Sequence, residues 1–365
     1  MNVVSEIEDR AVVFSAAKTM NAAILRGKED VRIERVSVKN LLPDEVRVRI
    51  GAALTCGTDV KVFRWGYHAR MGKPPFPFGH EFAGTISEVG ENVTAWRAGQ
   101  RIVAANSAPC GNCYYCRREM FEICDDLQFL NGAYAESIVI PARFVSRSLY
   151  ELPASLPFAE AALTEPLACV VRGMEAVPIR SGDTVIVLGT GPIGLLFVRL
   201  CHLAGARVIA AGRRNERLKL ALKLGANEVF DVRETSDVIE TLKARTDSGR
   251  GADVVIEAVG TPDAWQTAIA LGRKAATISL FGGCPKDTTI TLDTHRIHYD
   301  EMKLVGAFHH TPRTFRAALD LICSGKVPAR DFLTETAPLF ELPAVLATLA
   351  QGTSRAVKIA IDTGG

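Results

Sequence analysis

The chain carries almost no net charge: 43 lysines and arginines stand against 41 acidic residues, a formal +2 over 365 positions. The two signs are mixed along its length. It therefore lacks the basic tract that draws nucleic acid or an anionic membrane surface. No apolar stretch approaches the roughly 20 residues of a membrane span. Internal repeats and low-complexity segments are absent as well, which excludes solenoids and arrays. A secretory leader is not evident, because Val12-Val13-Phe14 is too short for its apolar core and acidic residues precede it. The expected location is a reducing cytoplasm. The nine cysteines are an odd number, which argues against a pure disulfide framework.

What is present describes a globular chain, 48% hydrophobic and 23% charged, long enough for two domains. Residues 1–19 are expected to be a loose extension, with the folded unit starting near Met20. From there to about Leu163 short strands alternate, such as Val46-Arg47-Val48-Arg49-Ile50, broken by Gly and Pro. The style changes near Glu165. Strands at 184–188, 207–211, 228–230, 253–257, 276–280 and 303–306 alternate with helices at 192–204, 215–224, 236–245 and 264–271. That alternation predicts a doubly wound parallel sheet. Helices at 313–323 and 343–350 and a strand at 356–360 follow, and this last part can return to the first domain. The expected architecture is a two-domain α/β chain, with a β-rich domain from 20–165 and 308–365 and a dinucleotide-binding domain from 166–307.

Cys110, Cys113, Cys116 and Cys124 have the spacing of a closed tetrahedral zinc site. Two-residue gaps let a turning backbone aim successive sulfurs at one point. A zinc saturated by four thiolates has no open position, so a catalytic metal must sit elsewhere. Of the other cysteines, Cys169, Cys201, Cys284 and Cys323 are expected to be small buried hydrophobes.

Gly189-Thr190-Gly191-Pro192-Ile193-Gly194 follows a predicted strand and opens a helix, the context a G-x-G-x-x-G loop requires. Its first glycine allows the turn, the second admits a pyrophosphate, and the third permits close helix–sheet packing. At the end of the second strand an NAD site usually places an acid. Here Gly212-Arg213-Arg214 stands instead. Arginine binds a 2′-phosphate by forked, charge-assisted bonds, so NADP(H) is predicted in preference to NAD(H). The alternative is a solvated helix start with NAD used without the acid. Glu216 is a weaker rival for the ribose.

Cys56-Gly57-Thr58-Asp59 and Gly79-His80-Glu81 fall in predicted loops, and Glu165 falls at the junction. Cys56, His80 and one carboxylate would supply the three ligands of an open catalytic zinc.

With Glu-Pro-Leu-Ala at 165–168, these motifs resemble, in order, those of the zinc-containing medium-chain dehydrogenase/reductase family, of the sorbitol and threonine dehydrogenase type. The resemblance spans Met20 to Asp362. It implies a GroES-like catalytic domain interrupted by a Rossmann domain, and a subunit that forms a homodimer or homotetramer. It implies catalytic zinc on Cys56 and His80, with Glu81 or Glu165 as third ligand and Asp59 behind His80, and a separate structural zinc. The implied reaction is hydride transfer between a secondary alcohol or polyol and the nicotinamide, its alkoxide stabilised by zinc. Thr58 would take or relay the proton. Relatives often carry histidine five residues after the cysteine, where this chain has Lys61. Either Lys61 substitutes or protons leave through water. Trp65, Tyr67, His68, Phe129 and the pair His309-His310 are candidate pocket residues. An amino-alcohol substrate is the near alternative, and a non-catalytic relative of the fold the distant one.

Overall fold

In the computed structural model, residues 18–67 and 72–364 are described. The expected extension 1–19, apart from its last two residues, and His68 lie outside them.

Two sheets organise the chain. The first is mostly antiparallel and runs in the order Leu149–Glu151, Arg101–Ala104, Phe82–Val89, Val46–Leu54, Lys358–Asp362, Leu333–Pro338, with Ser137–Ile140 also on Val46–Leu54. The last two strands come from the C-terminal segment, and Ala360 and Ile361 pair with Leu54 and Ala53. A smaller sheet of Asp30–Ser37, Thr19–Gly27 and Phe76–Pro77 lies beside it. The second large sheet has six parallel strands in the order Glu228–Asp231, Arg207–Gly212, Thr184–Leu188, Ala252–Glu257, Gly272–Leu280, Lys303–Gly306. This is the doubly wound order, in which connections reverse beside the first strand and open a crevice at the strands' carboxyl ends. Its central strands are buried on both faces, as Thr184–Leu188 shows by being buried at every position.

Three differences from the sequence reading bear on the site. The β-rich part contains helices, notably Gly57–Trp65, so Cys-Gly-Thr-Asp opens a helix and is not a loop. Glu165 sits in the first turn of helix Thr164–Glu175. The final strand is Lys358–Asp362, two residues later than expected. Among the leftover cysteines only Cys201 is buried, and Cys323 is exposed at the end of helix Pro312–Cys323. No helix among the described residues is long and apolar enough to cross a membrane.

Candidate active site

Cys56 precedes helix Gly57–Trp65 in an extended conformation. Its sulfur accepts the Thr58 N–H at 3.4 Å, and its own N–H donates to Asp59 Oδ2 at 3.2 Å. A reciprocal cap of this kind fixes the first turn. The free N–H groups there favour a thiolate. The other Asp59 oxygen faces His80 Nδ1 at 3.0 Å, which leaves the far ring nitrogen for another partner. Glu81 follows His80 and is fully buried. Its Oε2 accepts from Lys358 Nζ, while Oε1 is buried without a hydrogen-bond partner. Lys358 Nζ also donates to the Thr55 carbonyl at 2.9 Å.

The ligand atoms of Cys56, His80 and Glu81 all lie within 4.8 Å of one another. One ion with bonds of about 2.0–2.3 Å can span that set. The electrostatics ask for such an ion. Burial and then Glu81 push the Cys56 thiol up, and burial pushes the Glu81 carboxyl up despite Lys358. Burial alone would lower His80, but Asp59 and Cys56 outweigh it and raise it well above its ordinary value. A divalent cation at these donors would compete with protons for them. The orphaned Glu81 oxygen and this donor set therefore fit a zinc.

Glu165 belongs to a second group. Its ligand atom and those of His309 and His310 are mutually within 4.8 Å, and Oε1 stands 3.9 Å from His310 Nε2. His310 Nε2 lies 2.8 Å from Asn106 Oδ1, so it carries the proton in that contact. Burial, then His80, lowers His310 to about 3, and burial raises Glu165 to about 7. A neutral histidine beside a carboxyl that gains a proton easily is a hydrogen-bonding wall. His309 bonds Ser107 Oγ at 2.6 Å, and its ring lies 5.3 Å from that of Phe129. Trp65 and Tyr67 are exposed at the end of the Cys56 helix.

Thr58 is half-buried, and its hydroxyl has no hydrogen-bond partner among the described residues. Lys61 reaches the other sheet's loops, where Nζ donates to the Gly283 carbonyl at 3.1 Å.

The glycine loop has three distinct surroundings. Gly189 adopts φ +98°, a conformation that suits glycine. A Cβ on Gly191 would meet nothing within 4 Å, so the loop is open there. A Cβ on Gly194 would fall 1.8 Å from the Gly189 carbonyl oxygen. Helix Pro192–Leu203 starts at this open edge with Gly191 as its cap, an anion-ready terminus that fits a pyrophosphate. Ile193 packs against the core and Thr190 is buried against Gly212, where a Cβ would lie 2.1 Å from Thr190 Oγ1. Arg213 is exposed, with no ion pair or hydrogen bond among the described residues. Arg214, expected to face a phosphate, has its guanidinium engaged by main-chain carbonyls, those of Ser354 and Gly352, the latter at 2.8 Å. Arg217 likewise bonds the Ala356 carbonyl. The two arginines tie this helix to the segment entering the last strand.

The sulfurs of Cys110, Cys113, Cys116 and Cys124 also gather within 4.8 Å. The Cys110–Cys116 and Cys113–Cys124 separations are 3.9 and 3.8 Å. A tetrahedron with Zn–S bonds of about 2.3 Å has edges near 3.8 Å. Backbone N–H groups of Cys110, Gly111, Asn112 and Cys116 point at the sulfurs at 3.3–3.5 Å. This suits thiolates, and these residues fit a second zinc.

Sequence reasoning passed over Lys358, Asn106 and Ser107. Lys358 left one signal: a lysine inside the apolar run Val357-Lys358-Ile359.

Three donors at the ends of interior strands of one sheet, a glycine loop at the other's switch point and a four-cysteine lobe are the features of the zinc-binding, nucleotide-dependent dehydrogenase class. Residues 42–153 match the family described as alcohol dehydrogenase GroES-like domain, and residues 192–324 match zinc-binding dehydrogenase. The chain is 30% identical to sorbitol dehydrogenase of Bacillus subtilis, covering 89% of this chain and 92% of that protein. It is 32% identical to the erythritol/L-threitol dehydrogenase of Mycolicibacterium smegmatis, covering 94% and 97%. A zinc-binding dehydrogenase of Sinorhizobium meliloti solved with NADP superposes with TM-score 0.85 at 29% identity, over 94% of this chain and 99% of that one. The chain belongs to the zinc-containing medium-chain dehydrogenase/reductase family, of the sorbitol and threonine dehydrogenase type, and is an oxidoreductase of the alcohol/polyol dehydrogenase class.

Proposed function

We propose that the chain transfers a hydride between a secondary alcohol or polyol, or its ketone, and NADP(H), using one catalytic and one structural zinc. The convergence of Cys56, His80 and Glu81, whose Oε1 is buried without a partner, carries this reading. Cys56, His80 and Glu81 would hold the catalytic ion, and Glu165 would face the substrate from the opposite wall. Cys110, Cys113, Cys116 and Cys124 would hold the structural one. The domain limits are proposed as 20–165 with 308–365 and 166–307, in a cytoplasmic homodimer or homotetramer.

Zinc, when bound, supplies positive charge that lowers the pKa of the alcohol, and the nicotinamide takes the hydride. The chain does the rest. Asp59 holds the His80 ring in one orientation. Lys358 neutralises one Glu81 oxygen and leaves the other directed inward. The Thr58 hydroxyl would relay the alcohol proton, accepting it while passing its own proton on to water, as the carbinol carbon gives up its hydride. Lys61, held at Gly283, sits at the rim and supports proton exit through water. Asn106 and Ser107 fix His310 and His309, which gives the polyol pocket a rigid side beside Glu165.

A spectrophotometric screen of polyols and ketones with both cofactors, and L-threonine included, tests the assignment. Polyol or ketone turnover is expected, and turnover of L-threonine alone would move the enzyme to the amino-alcohol branch. Cofactor choice would rest on Arg213, since Arg214 is engaged elsewhere. Arg213→Asp should weaken NADPH relative to NADH by roughly tenfold to a hundredfold, the worth of a charged hydrogen bond. Equal preference ratios in variant and wild type would return the choice to NAD. Gly212→Asp is a poor test, because its side chain would collide with Thr190.

Cys116→Ser should cost one zinc per chain and loosen the 110–124 lobe. Metal analysis and limited proteolysis read both effects, and unchanged metal content would remove the structural ion.

A further inference from the structure

We infer that Tyr134 is a positioning residue for the catalytic metal, locking together the two segments that carry its ligands. The inference rests on the reading of Cys56, His80 and Glu81 as that metal's donors.

Four contacts converge on one side chain. Tyr134 is fully buried, and its hydroxyl donates to Asp59 Oδ2 at 2.5 Å, with the Leu54 carbonyl 3.0 Å away. Asp59 in turn accepts the Cys56 N–H on that same oxygen and presents the other to His80 Nδ1. One carboxylate thus sets the orientation of two donors, and one phenol sets the carboxylate. The ring does a second job. Gly79 adopts φ +91°, and a Cβ there would lie 2.5 Å from the Tyr134 ring. The ring is therefore seated flush on the residue that precedes His80. The Phe78 ring meets Tyr134 edge-on at 6.0 Å. Main-chain bonds from Tyr134 N–H to Phe78 O, and from Gly132 and Ala133 N–H to Gly79 O, pin the same turn.

A buried carboxylate with one partner too few costs more than its hydrogen bond is worth. Without the phenol proton, Asp59 retains the Cys56 N–H and His80 but loses its fixed rotamer. Outer partners of metal ligands typically change metal affinity by 10–100-fold when removed. Burial and then Asp59 hold the Tyr134 phenol well above its ordinary range, so it stays a donor.

Tyr134→Phe keeps the ring on Gly79 and deletes only the hydroxyl. The holoenzyme would be challenged with excess EDTA and zinc release followed over time, alongside wild type and Cys56→Ser. Wild type should release two zinc ions in two phases, and the phase missing from Cys56→Ser identifies the catalytic ion. Tyr134→Phe should accelerate that phase by about tenfold or more and leave the four-cysteine phase unchanged. In an Asp59→Asn background the same change should add little, because it acts through Asp59. Cobalt substituted at the catalytic site should show a shifted thiolate-to-metal band in the variant. Two unchanged phases, or equal acceleration of both, would overturn the inference while leaving the proposed function standing. A single zinc per wild-type chain would remove both.

Discussion

Cys56→Ser is expected to lower kcat/KM on the order of a thousandfold or more and to leave one zinc per chain instead of two. The activity loss follows from the several kcal/mol of transition-state stabilisation that a Lewis-acidic ion contributes, each 1.36 kcal/mol being about a factor of ten. The hydroxyl of serine fits where the thiol was and can still accept the Thr58 N–H, so the helix cap at Gly57–Trp65 survives. A softer, ionised sulfur is lost, and zinc prefers it to a neutral hydroxyl. The second half of the prediction matters more than the first. The four-cysteine group draws on residues 110–124 alone, so it should keep its ion. Loss of both ions would mean a general collapse, and retention of both would show that Cys56 holds no metal. Cofactor binding should also persist, because the glycine loop lies in the other sheet. NADPH fluorescence in the variant checks this.

The parts of the site that were legible in the sequence are those whose geometry is local. Six consecutive residues, Gly189 to Gly194, contain the turn, the open approach and the close packing, and each glycine meets the surroundings its place in the loop demands. The cysteine run is local in the same sense. What escaped the reading depends on distant partners. Arg214 looks like a phosphate ligand until the carbonyls of Gly352 and Ser354, far along the chain, take its guanidinium. The helix at Gly57 was hidden because cysteine is not among the usual cap residues, Ser, Thr, Asp and Asn. Asp59, three residues after Cys56, completes the cap and was the available clue. The last strand starts late because Ser354 Oγ takes the Ala356 N–H and Thr334 Oγ1 takes the Val357 N–H. Those two residues are thus tied to side chains before the ladder at Lys358 begins.

Lys358 is the least legible residue, and its replacement should have the largest effect on stability. Its ammonium is buried between Glu81 and the Thr55 carbonyl, 277 positions from the acid it pairs with. Burial alone would lower it, yet Glu81 and then Cys56 raise it, so it remains a cation. Lys358→Met fills the space left by the stem and strands the carboxylate. Breaking a buried pair from one side costs about 3–5 kcal/mol. In a chain of this size that is a fall of Tm on the order of 10 °C. The ion pair also steers Glu81. With Lys358 present Oε2 is occupied and Oε1 alone is left without a partner. Without it both oxygens compete for the ion, and Glu81 can rotate into two-point binding that crowds the substrate's position. Lys358→Met should therefore lose activity even where zinc content is complete. Lys358→Met with Glu81→Gln separates charge from packing. The double variant should recover more than half of the lost stability, because the stranded charge is gone, yet bind the catalytic zinc less tightly. A single variant within about 2 °C of wild type, or a double variant no more stable than the single, would show that packing of the lysine stem and not its charge holds this strand to Thr55 and Glu81.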